Sequence, residues 1–69
     1  MTIRHEIETT ATVADWTNVC AIAEIVMEDH EPQTIVTVND DKKMLRVIAT
    51  CNGAALRDLV AALDQNGFL

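Results

Sequence analysis

Glu28, Asp29, His30 and Glu31 place three carboxylates and an imidazole within four consecutive residues, at the end of an apolar stretch that reads as helix. Acids at a helix C-terminus face the negative end of the dipole, which costs about 0.3–1 kcal/mol each when exposed. Two readings account for them. In one, Glu28, Asp29 and Glu31 form an acidic patch for a partner with a basic surface. In the other, the second helix returns its N-terminal amides to this end and offsets the charge. The first is the functional expectation.

The remaining chemistry-bearing groups are weaker. Asn39, Asp40 and Asp41 suggest calcium, but they lack the alternate-position ligands, central glycine and closing glutamate of a calcium loop, so a solvated turn is expected. His5, His30, Cys20 and Cys51 match no zinc spacing. Cys51 lies near the start of a helix, where a dipole lowers a thiol pKa, and is the one enzyme-like hint. The only glycines, Gly53 and Gly67, each fall at a helix end, which leaves no phosphate-cradling loop. No catalytic residue, cofactor or metal ligand is assigned, and no enzymatic activity is expected.

Eleven acids against five bases give a formal charge of −6. That balance disfavours direct contact with nucleic-acid phosphates and with an anionic membrane surface. The opening "MTIRHEIE" lacks an apolar leader core, and the longest apolar run is interrupted by Glu24. Two cysteines make no disulfide framework. A reducing, cytoplasmic setting with free thiols is expected.

These residues must be positioned by a single domain spanning 1–69. "TIRHEIE" (2–8) alternates as a strand does. Thr12 and Asp15 stand in capping-box relation before a helix carrying Val13, Trp16, Cys20, Ala23 and Met27 in one row and Val19, Ile22 and Val26 in another, widened by Ile25. Thr17, Ala21, Glu24 and Glu28 form a narrow polar stripe. Pro32 ends that helix. "QTIVTVN" (33–39) and "KKMLRVIAT" (42–50) alternate around the turn "NDDK". One face carries Val36, Val38, Leu45, Val47 and Ala49; the other carries Ile35, Thr37, Met44, Arg46 and Ile48. Asn52 caps a second helix with Leu56, Leu59, Val60 and Leu63 as its stripe, closed by Gly67. The fold class is α+β: β-α-β-β-α, a small antiparallel sheet with two helices on one face.

That element order resembles a ferredoxin-type or ACT-like fold lacking its last strand, with "FL" as a stub. The ACT-like resemblance implies a small-ligand sensor with its site at a dimer interface, but "ETTAT" has no counterpart of the glycine-bearing ligand loop. Size and acidity are similar to small phage-encoded inhibitors of bacterial proteins, which share no motif with this chain.

A domain of about 60 residues buries only about 60% of its unfolded surface. The apolar arc of "VCAIAEIVM" (19–27) exceeds what one sheet face and one helix cover, and Ile35, Met44 and Ile48 lie on the opposite sheet face. A self-complementary patch shared by two copies hides such surface. A homodimer is expected, with Trp16, Val19, Ile22, Val26, Ile35, Met44 and Ile48 as interface residues and the helix favoured over the sheet. The functional expectation is an acidic protein-interaction module acting as inhibitor or regulator. The alternatives are the ACT-like sensor and a structural subunit of a larger assembly.

Overall fold

A computed structural model describes residues 2–28, 30 and 33–69. The elements are β1 (Ile3–Thr12), a 3-10 turn (Val13–Asp15), α1 (Trp16–Met27), β2 (Gln33–Asn39), β3 (Met44–Cys51) and α2 (Gly53–Gln65). The class is α+β, with a three-stranded antiparallel sheet and two helices. β3 lies in the middle, antiparallel to β1 on one side and β2 on the other. Among the described residues no helix is long and apolar enough to cross a membrane.

Alternation in β3 creates the core. Leu45, Val47, Ala49 and Cys51 are all at most 1% exposed, because a strand's side chains take opposite faces in turn. The register sets Ile7 and Val36 on either side of Val47, and Val38 beside Leu45, on that same face. Each helix contributes a row at i, i+4, i+8: Val19, Ala23 and Met27 from α1, and Ala55, Leu59 and Leu63 from α2. Both rows join β3 in one core, and the helices pack on each other. Full burial of each leucine contributes about 1.5–3 kcal/mol.

The strongest departure from the sequence reading is β1, which runs on to Thr12 instead of stopping near residue 8. Pairing passes from Glu8↔Arg46 to Thr12↔Met44, so β1 takes four steps (8 to 12) against two of β3 (46 to 44). Thr9 stabilises this bulge from within the core. Its Oγ1 donates to the Leu45 carbonyl at 2.8 Å and accepts from the Ala11 N–H at 3.1 Å. The extra length displaces the helix start. Neither Thr12 nor Asp15 caps with its side chain, so the capping box does not form, and Val13 is exposed in the 3-10 turn instead of joining the buried row.

The hairpin and α2 follow local chemistry closely. The Asn39 carbonyl accepts from the Lys42 and Lys43 N–H groups, and its Oδ1 accepts from the Asp41 N–H. Lys43 takes the left-handed conformation, with φ 54°. The Asn52 side chain accepts from the Ala55 N–H at 2.9 Å, which satisfies one otherwise free amide of the helix start. At the other end Gly67 has φ +78°. Its N–H donates to Asp64, and the Phe68 N–H donates to Leu63, the paired bonds of a left-handed helix stop. Phe68 then packs on the core, and its carbonyl accepts from the Thr10 N–H at 2.7 Å.

Candidate protein-binding groove

β2 forms one end of the sheet. Beside it, on the helix side, runs a groove of about 600 Å³ between β2 and α1. The hundred-degree step of α1 explains its walls. Val19, Ala23 and Met27 point into the core, while Cys20 and Glu24 stand on the flank nearer β2. Ala23, Met27 and Val36 supply apolar floor, and Glu24 and Glu28 are exposed along the α1 rim. Thr34 also lines it, and its Oγ1 is buried with no hydrogen-bond partner among the described residues. The groove joins apolar surface to negative charge next to a strand edge. A second depression, about 540 Å³, lies along α2 beside Leu56, Val60 and Leu69.

Of the expected acidic patch, Glu28 is exposed at the end of α1; Asp29 and Glu31 lie outside the described residues, as does Pro32. His30 Nε2 sits 3.3 Å from Asp58 Oδ2 on α2. This contact sets His30, just past α1, beside α2 at Asp58, which is an acid and not one of the helix's N-terminal amides. Glu24, treated in the sequence as part of a plain polar stripe, is the residue that joins Glu28 at the groove.

The expected dimer residues divide. Val19 is 0% exposed and belongs to the chain's own core, so it offers nothing to a second copy. Ile22 and Val26 are half-buried against the same core. Trp16 is partly exposed, and the most open large apolar residue of α1 is Ile25, at 70%. Val19 is therefore corrected to a core residue beside Ala23 and Met27, while Val13 and Trp16 of the other row stay exposed. On the sheet's outer face Ile35 and Ile48 are paired directly, with Ile35 59% exposed. Met44 is exposed at the same face, beyond Arg46.

That outer face is otherwise polar. Glu8 accepts from Lys42 Nζ at 3.1 Å and from Asn39 Nδ2 at 3.2 Å. The Lys42 hydrogen bond and charge hold the Glu8 carboxyl below its usual range, with smaller help from Asn39 and Arg46. Arg46 keeps its Nε buried without a partner.

Cys51, the enzyme-like hint of the sequence, is a buried strand residue. The side chain is the last inward residue of β3, 1% exposed, and burial pushes its thiol pKa up. Both cysteines are free. Among the described residues no three His, Cys, Asp or Glu side chains converge as a metal site would require. No protein-family model, curated protein or solved structure matches this chain.

Proposed function

We propose that this chain is a small acidic protein-interaction module, an inhibitor or regulator that works by occupying the basic surface of a partner protein. The observation that carries this reading is the α1–β2 groove: apolar floor, glutamate rim and an adjoining sheet edge in one place. Apolar contact supplies affinity there, while the rim supplies orientation and a preference for positive charge. We read the module as a homodimer whose second copy covers the outer sheet face at Ile35, Ile48 and Met44, which leaves both helices free.

Affinity capture from host lysate tests the reading when the wild-type chain is run beside Glu24→Gln/Glu28→Gln. A protein held by the first bait and lost from the second supports it. Release should follow as salt rises from about 0.1 to about 1 M, where the screening length falls from about 10 to 3 Å. Identical captures on both baits overturn it.

A second reading has one observation behind it. The partnerless Thr34 Oγ1 in a groove of about 600 Å³ suits a small polar ligand, since such sites run to about 300–1,000 Å³. The β1-β3-β2 order with Phe68 beside β1 suits a ferredoxin-type or ACT-like sheet without its fourth strand. A thermal shift with an amino acid or nucleotide would favour this sensor reading.

A further inference from the structure

The two edges of the sheet are not alike. β1 carries Arg4, Glu6 and Glu8, contains the bulge at Thr9, and has its Thr10 amide occupied by the Phe68 carbonyl. Charges, bulges and covering segments are how monomeric proteins keep sheet edges from pairing. Among the described residues β2 has none of these devices. Its seven residues, "QTIVTVN", include no charge, proline or glycine, and pairing with β3 is regular from Gln33 to Asn39. An unprotected edge of this kind is a template for another strand.

We propose that β2 accepts a basic extended segment of the partner as a fourth strand, with alternate Lys or Arg side chains lying in the α1–β2 groove. This deepens the interaction-module reading and rests on it. Strands pair about 4.8 Å apart with side chains on alternate faces. Every second residue of the incoming strand therefore points to the helix side, beside Val36 and under the α1 flank. There the aliphatic stem of Lys or Arg covers Met27 and Cys20 while its charge reaches Glu24 and Glu28. The intervening residues face the outer side, next to Ile35 and Thr37, and are β-branched. Charge selects this occupant over a second copy. A two-fold repeat at this edge would align Glu24 and Glu28 of both chains along one seam, each chain already carrying −6. A basic strand relieves that repulsion.

The test uses a capped seven-residue peptide alternating Lys and Val, with Glu–Val and backbone N-methylated Lys–Val peptides as controls. Amide exchange of β2 and chemical-shift titration are read by NMR at up to millimolar peptide. The expected result is slowed exchange at β2 with Lys–Val only, and affinity reduced about 3- to 30-fold by Glu24→Gln/Glu28→Gln. Unchanged β2 exchange with Lys–Val, or equal binding of the N-methylated peptide, overturns strand addition. Outward-pointing β2 amides already protected in a dimeric free protein also overturn it, in favour of a second copy. If capture from lysate depends on Glu24 and Glu28 while β2 exchanges freely in that complex, strand addition falls and the module reading stands.

Discussion

Thr9→Val keeps nearly the same side-chain volume at a position only 4% exposed, and removes the hydroxyl that bonds the Leu45 carbonyl at 2.8 Å and the Ala11 amide at 3.1 Å. Each such bond contributes about 1 kcal/mol net, and a buried group left without its partner costs about 1–3 kcal/mol. The loss should be about 2–4 kcal/mol, a large share of the stability of so small a domain. At about 4–8 °C per kcal/mol for this chain length, the thermal midpoint should fall by about 8–32 °C. Thr9→Ser keeps the hydroxyl and should lose about 1 kcal/mol for the missing methyl. Thermal and urea unfolding followed by circular dichroism give both numbers. If Val lowers the midpoint by no more than Ser does, the hydroxyl is not what stabilises the bulge. The account of how β1 becomes a closed edge would then be wrong.

Other outcomes follow from the same geometry. Asn52→Ala should cost about 1 kcal/mol through the lost cap on Ala55, read as a drop of about 4–8 °C. Iodoacetamide should modify half-buried Cys20 well before Cys51; equal rates would contradict the burial of Cys51. Because burial raises the folded Cys51 pKa, its contribution to stability is complete below pH 9.0 and is lost as pH rises through the folded value. Cys51→Ala should flatten that decline. Sedimentation at micromolar concentration should show a dimer that Ile35→Lys splits into folded monomer and Ile25→Asp leaves intact; the reverse pattern would return the interface to α1.

The hairpin and α2 were legible because local rules act there without competition. Strict alternation assigns the two faces of 33–39 and 44–49 correctly, although the second strand begins at Met44 instead of Lys42 and runs on to Cys51, and Asn52 and Gly67 mark the ends of α2 by capping chemistry. α2's stripe was only partly legible: Ala55 is buried, whereas Val60 is 36% exposed. β1 was misjudged because its second half, "TTAT", has no apolar alternation. Thr9 and Ala11 are buried by a bulge and a hydroxyl network that no periodicity reports. In α1 the pattern misplaced Val19, which packs with Ala23 under α2 and the sheet, whereas Trp16 and Ile25 stay exposed. The groove depends on which strand forms the edge, and strand order is a long-range property.

The glutamate-rimmed groove beside β2 is the proposed docking site of a partner. Amide exchange across β2, measured on the complex recovered from host lysate and on the free chain, tests it most directly. The amides of 33–39 that point away from β3, which alternate along the strand, should exchange freely in the isolated protein and become protected in the complex, and Glu24→Gln/Glu28→Gln should abolish capture. Protection confined to α2 or to β1, with β2 unchanged, would contradict it.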